Sequence, residues 1–134
     1  MWTTNEMTEP AFRFDPATWL EDVSVQVMSS SSQGIYLKLL CRAWLAEVRG
    51  ELSCHLNELP RLLRCTDSEL ELFLTEATAV ELVELECERH GTVTLISKRM
   101  AKEEKSRRLN RLRQRRYRAK RACEARNAEA SELI

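Results

Sequence analysis

Gln33-Gly34-Ile35-Tyr36-Leu37-Lys38-Leu39-Leu40-Cys41-Arg42-Ala43-Trp44-Leu45 is the stretch whose reading decides the fold. Apolar side chains recur at 36, 37, 40, 41, 44 and 45, Ile35 and Leu39 widen the stripe, and polar Lys38 and Arg42 stand four apart on what remains. This is a 3.6-residue period with a broad apolar face, and it predicts a helix buried on most sides. Ser30 is the expected N-cap, with Gln33 reaching back to complete a capping box. Gly50, just beyond Glu47, Val48 and Arg49, is expected to end the segment in a left-handed conformation.

Working outward from this rod, residues 1–10 read as a flexible leader, with Trp2 unusual among polar neighbours. Ala11-Phe12-Arg13-Phe14 alternates, which suits a short strand or an extended anchor on the core. Asp15-Pro16 is a helix-start pair opening a short helix through Trp19 and Leu20 to about Asp22. Val23 to Met28 reads as a β-branched connector. Downstream, Glu51-Leu52-Ser53 is long enough for a single bridge of sheet. Leu56, Leu59, Leu62 and Leu63 then predict about two and a half helical turns, with Pro60 in the first. Thr66-Asp67-Ser68-Glu69 is a capping box opening a helix whose face is Leu70, Phe73, Leu74 and Ala77. Val83, Leu85 and Cys87 alternate with glutamates, and Val93 and Leu95 with threonines. Arg89-His90-Gly91 lies between these two runs, which makes an antiparallel hairpin. The sequence therefore predicts a mainly α fold with a small β-hairpin (α+β). The element order is that of a winged helix-turn-helix over 11–97, followed by a long basic helix over 98–126 and a disordered end at 127–134.

The net charge of zero conceals a segregation. Residues 1–97 carry 7 Lys+Arg against 16 Asp+Glu, a net of −9, whereas residues 98–126 carry 14 against 3, a net of +11. Such asymmetry marks one end for a polyanion or an acidic surface. The five cysteines are odd in number and lack framework spacing, which fits small hydrophobes in a reducing compartment. Neither a signal peptide nor an apolar run of membrane-spanning length is visible, so a cytoplasmic protein is expected. No glycine-rich phosphate loop or nucleophile elbow occurs, and no enzymatic activity or cofactor is expected. Cys87 and His90 have Cys-x-x-His spacing, with Cys54, His55 and Cys65 elsewhere. Structural zinc ligands usually arrive as two close pairs, and here the second pair would need the adjacent Cys54 and His55, or Cys65 ten positions further on. Cys87 is instead expected on the inner face of a strand and His90 at an exposed turn.

A helix-turn-helix ordinarily reads DNA with its third helix. Here that helix carries Asp67, Glu69, Glu71 and Glu76 without a Lys or Arg, and the wing offers Glu84, Glu86 and Glu88. Such a surface is repelled by duplex DNA, so the globular part is expected to hold a protein partner. The candidate nucleic-acid-binding residues are Arg107, Arg108, Arg111, Arg113, Arg115, Arg116, Arg118, Lys120 and Arg121, with Tyr117 among them to stack on a base. Guanidinium groups suit phosphate, and arginine-rich segments fold on nucleic-acid backbones. Asn110 and Arg118 share one spacing with basic zippers, but Arg113 and Gln114 stand where small residues belong and no leucine heptad follows.

The chain also resembles the YdaU-like family, phage and prophage domains of unknown function that are often encoded in replication regions. The resemblance covers roughly residues 12–104. It rests on Phe12, Phe14, Asp15 and Trp19-Leu20, on Ser29–Ser32 before Gln33-Gly34-Ile35-Tyr36, and on Leu39-Leu40 with Ala43-Trp44. Gly50-x-Leu52, Leu59, Leu62 and Ser97-Lys98-Arg99-Met100 with Glu103 extend it. Ser53 stands where the family tends to have proline, and Ser30–Ser32 lack the usual acidic pair. The resemblance implies a winged-helix module linked to phage DNA replication, near initiation or helicase loading, and supplies no catalytic residues. The expectation is a non-enzymatic protein of the bacterial host cytoplasm that binds nucleic acid, DNA rather than RNA, through its arginine-rich helix. Its partner would be a replication protein such as a helicase or loader, with homo-oligomer formation open. An adaptor whose basic tail binds an acidic protein, or an arginine-rich RNA-binding regulator, are the alternatives.

Overall fold

The computed structural model describes residues 11–132, so the expected leader at 1–10 lies outside the described residues. The decisive stretch forms helix α3, Ser30–Leu45. Its buried residues are Ser32, Ile35, Tyr36, Leu39, Leu40, Ala43 and Trp44. The apolar stripe is therefore centred one position away from the expected one. Leu37, Cys41 and Leu45 face outward, Leu45 with 71% of its surface exposed. Side chains at i, i+3, i+4 and i+7 share a face, and small Ser32 and Ala43 complete that set where larger apolar residues off the line do not.

Ser29 caps α3, not Ser30: its Oγ accepts from Ser32 N at 3.3 Å. Gln33 turns its amide to Met28 O at 3.1 Å and takes no part in a capping box. The reciprocal half of the box, a carboxylate on the N-cap amide, is supplied from far along the chain by Glu76, whose Oε2 accepts from Ser29 N at 2.6 Å. The helix ends at Leu45, and Ala46–Arg49 form a looser turn before Gly50.

Upstream, residues 11–15 have no regular secondary structure, with Phe12 packed on Trp44 at 5.7 Å between ring centroids and Phe14 on Trp19 at 5.4 Å. Helix α1 is Pro16–Glu21, capped by Asp15. The expected connector is in fact a short helix, α2, Val23–Gln26. Asp22 caps it by accepting from Ser24 N and Val25 N, and fully buried Val25 joins the core, which outweighs β-branched propensity.

Strand β1, Glu51–His55, is longer than a bridge. It pairs antiparallel with β3, Thr92–Ser97, over five positions, and β3 pairs with β2, Val83–Cys87, so the sheet order is β1-β3-β2. After β1 the expected two and a half turns divide into a 3₁₀ turn, Leu56–Glu58, and a single helical turn, α4, Leu59–Leu62. Pro60 has no amide hydrogen to extend the helix ladder backwards. Helix α5, Asp67–Ala79, begins with the expected capping box of Thr66 and Glu69 and buries Leu70, Phe73 and Ala77. Val83 is buried as expected, but Cys87 is exposed near the end of the sheet. Helix α6, Lys98–Glu132, continues through residues 127–132, where a disordered end was expected.

The core joins α3 to α5 and to the inner face of the sheet through Tyr36, Leu39, Leu59, Leu63, Phe73 and Leu95. Gly50 has φ +98°, and a Cβ there would lie 2.9 Å from the backbone nitrogen of Ala101. Gly50→Ala should therefore be strained twice, by its backbone and by that contact. We expect a loss of more than about 1 kcal/mol, read from the urea midpoint at unchanged slope. Trp44→Ala should cost about 3–5 kcal/mol, as expected for emptying a large aromatic site. A thermal melt within a degree or two of wild type would place Trp44 outside the core.

Candidate nucleic-acid interface

Helix α6 starts from fixed points. Ser97 is fully buried; its amide donates to Gly50 O at 2.9 Å, and its Oγ accepts from Met100 N at 3.4 Å, the geometry of an N-cap. Lys98 N donates to Leu82 O at 3.2 Å, and Met100 is buried in the core. Arg99 pairs with Asp22, so that one carboxylate caps α2 with one oxygen and holds the root of α6 with the other. The chain divides into two compact units between Ala101 and Lys102.

From Lys105 to Glu132 every residue of α6 is exposed, and all ten sequence-predicted binding residues lie in that stretch. At 100° per residue, Arg107, Arg108, Arg111, Arg115 and Arg118 share one face. Arg113, Arg116, Tyr117, Lys120 and Arg121 occupy the opposite one. Cationic groups thus surround the helix instead of forming a single stripe. Arg107 to Arg121 covers about 21 Å at 1.5 Å per residue. That length matches about six phosphates of one DNA strand at roughly 3.4 Å each.

Two local pairings were missed in the sequence. Glu104 gathers Arg107 at 3.8 Å, Arg108 at 3.8 Å and Arg111 at 3.4 Å, placed three, four and seven residues on. The signal was available, because i+3, i+4 and i+7 lie over an acid on any helix. Arg121 Nη1 donates to the Tyr117 hydroxyl at 3.0 Å, with its guanidinium carbon 5.8 Å from the ring centroid. Tyr117 is 59% exposed and already meets a cation through its ring, as it would a base.

The acids of α5 have structural work that charge counting overlooks. Glu69 closes the capping box, and its hydrogen bonds to Thr66 hold its carboxyl below the usual range. Glu76 caps α3. Asp67 and Glu71 remain on the exposed surface, as do Glu84, Glu86 and Glu88 of the hairpin. Among the described residues no group of three His, Cys, Asp or Glu could hold a metal ion. Cys54 and Cys87 stand on either side of Val93 in the register, and burial raises the thiol pKa of Cys54 and of Cys65. No helix among the described residues is long and apolar enough to cross a membrane. Comparison with protein-family models, curated proteins and solved structures returned no match to this chain.

Proposed function

We propose that this is a non-enzymatic, phage or prophage replication-associated protein of the bacterial cytoplasm. In this reading residues 11–97 form a winged helix-turn-helix that holds a protein partner, such as a helicase or its loader. Helix α6 grips nucleic acid, DNA in preference to RNA. The winged-helix reading draws on the order α3, β1, α4, α5, β2, β3 with β3 central in the sheet. The replication context draws on the family resemblance of the Gly34-Ile35-Tyr36, Leu39-Leu40 and Trp44 pattern.

The observation that carries the nucleic-acid role is the stretch from Arg113 to Arg121. It places six cations and Tyr117 around an exposed helix, with no acid among them. A groove lined by phosphates on both sides suits a helix charged all round, whereas a flat acidic protein surface would use one face of it. The acidic outer face of the hairpin and the exposed acids of α5 keep the polyanion off the globular unit.

The test compares the full chain with a variant in which Arg113, Arg115, Arg116, Arg118, Lys120 and Arg121 are all changed to Gln. Binding to duplex DNA, single-stranded DNA and an RNA hairpin is measured at two salt concentrations. Engagement of about six phosphates should give log K a slope of about −5 against log salt on duplex DNA. The variant should lose most of its affinity and flatten that slope, while a chain ended after Ala101 should not bind. Undiminished binding by either would refute the assignment. Preference for the hairpin would favour the RNA regulator, and no binding to any of the three would favour the adaptor.

A further inference from the structure

Each described aromatic residue before α6 has a place in the fold. Phe12 lies on Trp44 and Phe14 on Trp19, Trp19 stacks on Tyr36, and Phe73 is fully buried. Tyr117 is the single aromatic residue from Lys98 to Glu132, so its own helix offers it no second ring, and 59% of its surface is exposed. Phosphate binding does not account for it, because the ring carries no charge, and straight-chain residues make a better exposed helix. Nor is the ring loose. Arg121 Nη1 donates to its hydroxyl at 3.0 Å. The guanidinium carbon stays 5.8 Å from the ring centroid, against 3.9 Å where Arg49 stacks over Trp44. Arg121 therefore ties the hydroxyl end without covering the ring. The shallow cleft beside the ring is lined by Arg113, Gln114 and Arg118. Among the described residues these three side chains make no hydrogen bond or ion pair.

We infer that Tyr117 and the cleft beside it form a seat for one unpaired nucleobase of DNA. The helix then prefers DNA that presents such a base to a fully paired duplex. This rests on the nucleic-acid reading of α6 and adds the class of DNA that the site takes. In a fully paired duplex the major groove shows base edges, so a ring entering it finds no base face to lie on. A base released from its stack offers that face, and stacking it on an aromatic side chain raises affinity about five- to a hundred-fold. The tie to Arg121 holds the ring before a base arrives, which limits the freedom lost on stacking. Gln114 stands one helical turn before Tyr117, and its amide offers a base edge both a donor and an acceptor. Arg113 and Arg118 supply the charge for the phosphates on either side of the seated nucleotide.

The test uses the full chain and matched pairs of DNA probes of equal length. One pair is a thymine-only single strand and the same strand with abasic sites in place of its bases. The other is a duplex with one unpaired thymine and the same duplex with that position abasic. A fully paired duplex is the reference. Wild type should bind the base-bearing member of a pair about five- to a hundred-fold more tightly than the abasic one. Tyr117→Ala should erase that difference and keep the paired-duplex affinity and its salt slope, since every cation remains. Tyr117→Phe should keep most of the difference, because the ring is retained and only the tie to Arg121 is lost. A Tyr117-dependent difference in either pair supports the seat, and the pair that shows it names the DNA supplying the base.

Equal binding to both members of both pairs, with paired-duplex binding intact, overturns the seat and leaves the nucleic-acid reading of α6 standing. The seat also falls if the base-bearing advantage survives in Tyr117→Ala. A uniform loss across all probes in that variant has the same consequence, since the ring would then serve the helix and not a base. Absence of binding to every probe overturns the seat and the nucleic-acid reading together.

Discussion

Residues 11–101 depend on covering one face of α3, from Ser32 to Trp44. That face cannot be buried by α3 alone, so α5, the sheet and the aromatic residues before α1 are arranged to cover it. Phe12 closes on Trp44 from one side while Arg49 lies 3.9 Å over the same ring, and Trp19 stacks on Tyr36 at 5.9 Å. The first turn of α3 is held from α5 by the bond between Ser29 and Glu76, across 47 positions of sequence. A charged acceptor on a helix N-terminus is among the stronger single hydrogen bonds in a small domain, because it also answers the positive end of the helix dipole.

This changes how the acidity of α5 is understood. Charge counting alone assigns Glu69 and Glu76 to a surface that repels nucleic acid. In the fold they are two halves of capping interactions, one closing its own helix and one closing another. The repelling surface is left to Asp67, Glu71 and the hairpin glutamates. Removing Glu76 to make the domain more basic would therefore expose an unanswered amide at the head of its central helix.

Helix α6 lives under the opposite constraint. Beyond Met100 it has almost nothing apolar to bury, Leu109 and Leu112 being 45% and 47% exposed. Its order rests on good helix formers, on the cap at Ser97 and on side-chain pairs within the helix, such as those made by Glu104. Such pairs are each worth only a few tenths of a kcal/mol on an exposed helix. A polyanion that neutralises the crowded guanidinium groups would add to that order, which links the proposed ligand to the persistence of the helix.

Much of this was legible in the chain itself. The helical period of 33–45, the Thr66–Glu69 capping box, the alternation of 83–87 and 92–95 and the basic run after Ser97 are local patterns, and local geometry decides them. What the sequence could not show were the features that need a partner from elsewhere. The stripe of α3 turned by one position because its neighbours fill the space beside Ser32 and Ala43, leaving Leu37, Cys41 and Leu45 outside. Residues 23–26 became helical because Asp22 caps them and Val25 had a place in the core. Strand β1 grew to five residues because β3 lay along it, and no periodicity in Glu51-Leu52-Ser53 announces that neighbour. The N-cap of α3 moved to Ser29 because the carboxylate completing its cap belongs to Glu76, a residue brought there by the packing of two helices. Periodicity and capping chemistry act over a few residues and can be read directly. Register, face and the owner of a distant hydrogen bond are settled only when the elements pack.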